Sequence, residues 1–374
     1  MRKSINRAFK FRLLPTPSQL ELLTKYAGCC RYVYNWALTY WLTNYNKGDD
    51  PTVYDLIKKL PTLKNDEDRR WLQDCPAQSL QQAIVDLGTA LDGWRRLRKR
   101  PKYRKKNWND SFRLAQYFKL NEESSELVVP KLGAVKYIRD RRINGVPRSL
   151  TIVKEGDLWF VSVLCELNLE CVQHTSSGII GIDVGVANMA TTWDGEKAQF
   201  HQHQPSLSTA NEKVRKYHRQ LSRKIKGSRN RDKVRSKLSK AYRRVTRIRK
   251  DTLHKLSRKL VTENAVIALE ALSPKQMSAK GGPHKRGLNR SIMNQGWSEL
   301  VRMIGYKSVE TGSVLVLVDP KYTSQTCPKC QHCEKTNRKS QSVFICNRCG
   351  FNAHADIVAA MNIRARVKPE AWTL

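Results

Sequence analysis

Two CxxC pairs, Cys327-Pro-Lys-Cys330 and Cys346-Asn-Arg-Cys349, stand fifteen residues apart near the end of the sequence. Four thiolates carried on two tight knuckles suit one tetrahedral Zn²⁺ with every position filled, so the metal would be structural and not catalytic. Pro328 and Gly350 suit the knuckle turns, and Val343 to Ile345 suits the arm of a hairpin between them. Cys333 makes a rival pair with Cys330, which leaves the ligand register on the first side open. A redox dithiol would need one CxxC at a helix start rather than two pairs.

A second constellation is made of carboxylates. Asp183 falls within the apolar run Ile179-Ile-Gly-Ile-Asp-Val-Gly-Val186, Glu270 closes Val266-Ile-Ala-Leu-Glu270, and Asp356 opens Asp356-Ile-Val-Ala-Ala-Met-Asn-Ile363. An ionised acid in such a setting is costly unless it faces a site or holds a cation. Singly, each also fits a structural part at a strand end or a helix N-cap. Together, in a chain with few acids, they point to hard-metal ligation by oxygen, with Mg²⁺ and substrate phosphate as partners. Two such ions about 3.5–4 Å apart would serve phosphodiester hydrolysis.

The elements that carry these residues follow from periodicity. Ile5 to Leu13 alternates and reads as a strand ended by Pro15 and Pro17, after which Leu20, Leu23, Tyr26, Ala27, Val33, Tyr34 and Leu38 recur at helical spacing. A second helix is expected from Ala77 to Leu97, followed by Arg95 to Lys106, where nine of twelve residues are Lys or Arg. Strand-like runs at Leu127–Val129, Leu150–Val153 and Trp159–Leu164 suggest a small β-domain with the first strand as its missing edge. A polar stretch, Gln173 to Ser177, separates this half from one that opens with the strand Ile179 to Val186 and continues as Asn188 to Thr192. One or two helices across Asn211 to Leu260, a strand at Ala265–Leu269, a helix at Asn294–Glu310, a strand at Val314–Val318 and a last helix at Ala355–Val367 complete an α/β pattern.

Charge then narrows the partner. The sequence holds 69 Lys plus Arg against 33 Asp plus Glu, a formal +36, and 21 Lys or Arg against three acids fall in Asn211 to Leu260 alone. Half the net charge on fifty residues is more than a solvated helix face needs, and it favours a phosphate-tracking role. No run of 18 apolar residues exists and Met1 to Leu14 offers no signal-peptide core, so a cytoplasmic location is expected. Cys29, Cys30, Cys75, Cys165 and Cys171 lack ligand spacing and read as small buried thiols.

Taken in order, the motifs resemble the TnpB proteins of insertion sequences, compact relatives of the type V CRISPR effectors. The resemblance runs through Phe11-Arg-Leu-Leu-Pro-Thr-Pro17, Gly28-Cys-Cys-Arg-Tyr-Val-Tyr-Asn-Trp36, Gly181-Ile-Asp-Val-Gly185, Gly227-Ser-Arg-Asn-Arg231, His254-Lys-Leu-Ser257, Gly296-Trp297 and Tyr322-Thr-Ser-Gln-Thr-Cys327, nearly the whole chain. It implies an RNase H-like RuvC nuclease domain at 176–324 and 351–374, interrupted by a zinc ribbon at 325–350. A wedge β-barrel at 1–14 and 107–175 and a helical recognition lobe at 15–106 would precede them. It also implies a guide RNA derived from the transposon end, double-stranded DNA cut beside a short flanking motif, and Asp183, Glu270 and Asp356 as catalytic triad, the same acids that burial logic selects.

By the same likeness Pro76-Ala-Gln-Ser-Leu-Gln-Gln82 would touch the flanking motif, with Gln78, Ser79 and Gln82 able to reach base edges, though solvated helix positions explain them equally. Tyr322, Thr323, Ser324 and Gln325, before the ribbon, would position the scissile strand or support the knuckle. The chain departs from the pattern at Val358, Gln331 and Ala271, and none of these removes a metal ligand. Two residues after Asp356 a helix has turned by about 200°, so Val358 is expected to act on a neighbour of the acid. Two rival readings remain: a nuclease-dead RNA-guided DNA-binding repressor, and a guide-independent RNase H-like DNA-processing enzyme.

Overall fold

Alternation at the start of the chain becomes a 13-residue strand, β1 (Arg2–Leu14), which buries Phe9, Phe11 and Leu13 on one face. The computed structural model describes residues 2–107, 110–170, 173–279, 282 and 285–368, in two units, Met1–Leu169 and Glu170–Leu374. Cys171 and residues 369–374, the end of the expected nuclease domain, lie outside the described residues.

In the first unit, β1 leads to α1 (Pro17–Tyr45), started by Thr16, whose hydroxyl accepts from the Gln19 amide while the Gln19 side chain answers to the Thr16 amide. Short helices α2 (Val53–Lys58) and α3 (Leu60–Asn65) precede α4 (Ala77–Leu97). Leu80, Ile84, Leu87 and Leu91, one face of α4, share a buried cluster with Leu38 and Trp41 of α1. Strands β2 (Ser111–Leu114), β3 (Lys119–Asn121), β4 (Glu126–Val129), β5 (Gly133–Ile138), β6 (Val146–Glu155) and β7 (Leu158–Glu170) join β1 in a sheet ordered β2-β6-β7-β1-β5-β4-β3. The first strand is therefore interior and not the expected edge. A period of two reports that one face is buried, not how many neighbours the backbone has.

Cys29, Cys30, Cys75 and Cys165 are buried thiols, as expected. The fold also brings Cys29 and Cys75 into hydrogen-bond contact, and that bond together with burial raises the Cys29 pKa and keeps the thiol protonated.

The second unit opens with β8 (Ile179–Asp183), β9 (Ala190–Trp193) and β10 (Ala198–His201). A basic hairpin follows, α5 (Ser206–Ser222) and α6 (Arg229–Glu263), zipped by Leu207, Ala210, Val214, Leu238, Ala241 and Val245. Then come β11 (Val266–Glu270), α7 (Pro274–Met277), α8 (Lys285–Gln295), α9 (Trp297–Thr311) and β12 (Val314–Val318). The hairpin β13 (Val343–Ile345) and β14 (Asn352–His354) leads into α10 (Ala355–Ala365). The main sheet runs β10-β9-β8-β11-β12. Its strands β8, β11 and β12 are parallel, while β9 and β10 return antiparallel. No helix among the described residues is long and apolar enough to cross a membrane.

Strand β8 stops at Asp183 instead of reaching Val186. The last pair of its antiparallel partner is Asp183 with Thr191, so the chain must turn back within 184–189 and the acid stands at the strand's carboxyl end. Gly181, two residues earlier, lets α10 approach: a Cβ there would lie 2.2 Å from the Ala360 carbonyl oxygen and 2.7 Å from the Arg364 amide nitrogen. Backbone cannot yield as a flexible side chain does. Gly181→Ala is expected to destabilise the second unit by about 1–3 kcal/mol, read as a lower urea-unfolding midpoint, whereas an unchanged midpoint would mean that α10 is not held so closely.

Candidate active site and metal centre

The parallel pairing that matches Leu269 with Ile182 sets Glu270 and Asp183 one step further on, side by side at the carboxyl ends of β11 and β8. The third acid arrives from the other side of the chain. Asp356 sits in the first turn of α10, whose N-cap His354 accepts the Asp356 amide at 3.2 Å. Its carboxylate keeps 13% exposure, with the Arg338 guanidinium 3.7 Å away and Asn188 donating from Nδ2 at 3.5 Å.

The charges of Glu270 and Asp356 both act on Asp183. Burial drives the Asp183 carboxyl up to about 7, the charges of Glu270 and Asp356 push it the same way, and Arg338 and the Val184 amide oppose them. Glu270 is also raised, by burial, against the Thr323 hydroxyl that donates to its Oε1 and the charges of Arg366 and Arg338. Two buried carboxylates that resist ionisation are what a hard cation would relieve, and all the donors are oxygen, so the residues fit Mg²⁺.

The four cysteines are drawn tighter. Their sulfurs all lie within 4.8 Å of one another, the one such group of His, Cys, Asp or Glu among the described residues. Cys327 and Cys349 are 3.6 Å apart, as are Cys330 and Cys346, against an edge of about 3.8 Å for a tetrahedron with Zn–S bonds of about 2.3 Å. The donor set thus fits structural zinc. Both knuckles repeat one pattern: the Gln331 amide donates to the Cys327 carbonyl at 2.9 Å, and the Gly350 amide to the Cys346 carbonyl at 3.0 Å. Gly350 (φ 71°) and Gln331 (φ 60°) share the left-handed conformation, so Gln331 occupies a position that favours glycine. Burial pushes the Cys346 thiol up, but the amides of Cys349 and Arg348 outweigh it and bring it down to about 6. Cys333 is exposed and stands outside the cluster, which closes the register question.

The residues expected to touch nucleic acid fare unequally. Gln78 and Gln82 are half-buried on α4, and the Gln78 Oε1 accepts the Gln116 amide at 3.0 Å. Ser79 is 1% exposed, which corrects its place among the base-reading candidates: α4 turns it inward, against α1, where its carbonyl accepts from the Cys30 thiol. Tyr322 is 60% exposed and Ser324 half-buried. Between them Thr323, 2% exposed, is the residue that contacts an acid. Asn362 of α10 ties down this loop by donating to the Thr323 and Thr326 carbonyls, both at 2.7 Å.

Val358 is fully buried with Cys327, Phe344, Cys346 and Ala355, so it joins α10 to the cysteine cluster. Sequence reasoning missed Arg338 and Asn188, and it named Thr323 without its contact to Glu270. A lone Arg in a polar loop gives no periodic signal, and only the docking of the ribbon beside α10 brings its charge to Asp356.

Three family models match: "Probable transposase" at residues 162–280, "Cas12f1-like, TNB domain" at 297–363 and "Helix-turn-helix domain" at 1–50. Within 1–50 the described residues form one strand and one 29-residue helix. Over 371 residues the chain is 36% identical to "Putative RNA-guided DNA endonuclease InsQ" of Escherichia coli (strain K12), covering 96% of this chain and 92% of that protein. A Streptomyces pristinaespiralis protein, "Putative RNA-guided DNA endonuclease", is 31% identical over 377 residues, 98% of this chain and 90% of its own length. The solved structure of a Cas12f1–sgRNA–target DNA complex matches the fold with a TM-score of 0.59 at 13% identity, covering 98% of this chain and 99% of that one. These likenesses put the chain in the class of transposon-associated proteins related to compact CRISPR endonucleases. Within that class it belongs to the TnpB family of insertion-sequence-encoded RNA-guided nucleases.

Two outcomes follow from this geometry. The folded Asp183 carboxyl titrates near 7 against an ordinary 3.8, so the folded state binds its proton more tightly than the unfolded chain. The group therefore costs nothing below about pH 4, and its cost grows to about pH 7 and stays constant above. In magnesium-free buffer at about pH 8, Asp183→Asn is expected to be more stable than wild type by on the order of 1–3 kcal/mol, the gap closing towards pH 4. Equal urea midpoints at both pH values would refute the crowded-acid picture. Cys346→Ser is expected to lose its zinc, checked by elemental analysis of the purified chain, and retention of one zinc per chain would move the site elsewhere.

Proposed function

We infer that this protein is an RNA-guided DNA endonuclease that cuts double-stranded DNA matched to a guide RNA beside a short flanking motif, through a Mg²⁺-dependent RuvC-type site. The observation that carries this reading is the convergence of Asp183, Glu270 and Asp356 from β8, β11 and α10 in a chain whose full-length relatives are named as such enzymes. The order β10-β9-β8-β11-β12, an antiparallel meander followed by two parallel strands, supports the RNase H-like reading of 176–324 and 351–374. Zinc on the four cysteines would set the ribbon at 325–350, and the guide would derive from the transposon end. The sheet of the first unit would be the wedge domain and its helices the recognition lobe.

Asp183, Glu270 and Asp356 would hold the catalytic ions, and Thr323 keeps the Glu270 carboxylate turned towards the site. Bound there, two Mg²⁺ would activate a water and stabilise the leaving oxygen of the phosphodiester. Arg338 faces the same acids and is placed to meet a phosphate oxygen that enters between them. Sequence choice would fall to base pairing, which leaves the protein to grip backbone with its cations.

The test is cleavage of a plasmid target library by chain purified with the RNA encoded beside its gene. Wild type with Mg²⁺ is expected to cut guide-matched targets, and Asp183→Ala to cut them about 10²–10³-fold more slowly or worse. Matched binding without cutting would favour the repressor, and cutting that ignores the RNA would favour a guide-independent enzyme.

A further inference from the structure

The most exposed large apolar side chain among the described residues is Ile225, 81% open to solvent, in the turn between α5 and α6. The turn is strapped and not slack. Arg231 donates from Nη1 to the carbonyls of Leu221 at 2.7 Å and Lys224 at 2.9 Å, which caps the end of α5. The Ser228 hydroxyl donates to the Ile225 carbonyl at 2.9 Å and accepts the Arg231 amide at 3.2 Å. Gly227, at φ 87°, makes the reversal that this strap needs. Ile225 is thus held outward by bonds on both sides of it.

A single exposed aliphatic residue is ordinary on a protein surface. This one is ringed by charge of one sign: Arg223, Lys224, Lys226 and Arg229 are all exposed, and 223–231 contains no acid. The turn also tips a hairpin in which Asn211 to Leu260 carries half of the chain's net positive charge. An apolar tip within a collar of cations complements one feature of a polynucleotide, an open base face between phosphates.

We propose that Ile225 packs on an unstacked base of the bound RNA while the surrounding cations hold the flanking phosphates. This rests on the reading of the chain as RNA-guided. An intact DNA duplex offers no open base face, and one aliphatic side chain gains no more on burial than parting a stacked step costs. A folded RNA displays such faces at bulges, loops and helix ends without that cost.

The probe is a short synthetic RNA hairpin with a one-nucleotide bulge and 2-aminopurine beside it, added to the full chain. Wild type is expected to bind and to change the 2-aminopurine fluorescence. Ile225→Gln should keep its circular dichroism and the salt dependence of binding, yet bind about tenfold more weakly and lose most of the fluorescence change. Ile225→Leu should behave as wild type. The proposal is overturned if Ile225→Gln matches wild type, an outcome that leaves the RNA-guided reading standing, or if the same RNA hairpin without its bulge responds as strongly as the bulged one. Failure of wild type to bind the RNA at all would sink both.

Discussion

The burial of Asp183 and Glu270 at two strand ends, with the charges of Glu270 and Asp356 acting on Asp183, is the constraint that the second unit has to meet. Burial makes both Asp183 and Glu270 ionise less readily than a free carboxyl does. Holding them together therefore takes a scaffold that cannot relax. Parallel pairing of β8 with β11 supplies it: the strands end level, and their interior residues Ile180, Ile182, Ile267 and Leu269 are buried in one apolar cluster. The absent side chain at Gly181 then lets α10 lie on β8 closely enough to bring in the third acid.

The same helix links the acids to the cysteines. Asp356 and Val358 are two residues apart on α10 and face different tasks, one towards β8 and β11 and the other into the cluster with Cys327, Phe344 and Cys346. The cysteine cluster and the group of acids therefore share one rigid element. Arg338 extends the coupling, since a residue of the ribbon supplies the positive charge nearest Asp356. The packing of the cysteine cluster on α10 can in this way set the position of Asp356.

Charge is divided between two uses. Near the acids a few cations, Arg338 and Arg366, ease the repulsion between carboxylates. Along α5 and α6 the cations face outward while Leu207, Val214, Leu238 and Val245 zip the hairpin shut. The narrow stripe suffices because only two helices have to be joined there.

Much of this was legible in the residues alone. CxxC spacing marks the thiol cluster, with Cys333 left as a rival that only the fold removes, and acids closing apolar runs mark Asp183, Glu270 and Asp356 because such settings disfavour charge. Helical and alternating periods gave α1, α4, α6 and β1 because burial on one face repeats at the period of the backbone. Tertiary structure alone decided what depends on neighbours distant in sequence: β1 in the interior of its sheet, β8 ending at Asp183 because β9 must return, Ser79 turned into the core, and Arg338, Thr323 and Asn188 beside the acids. None of these leaves a local pattern, since each is set by which surfaces meet once the chain has closed on itself.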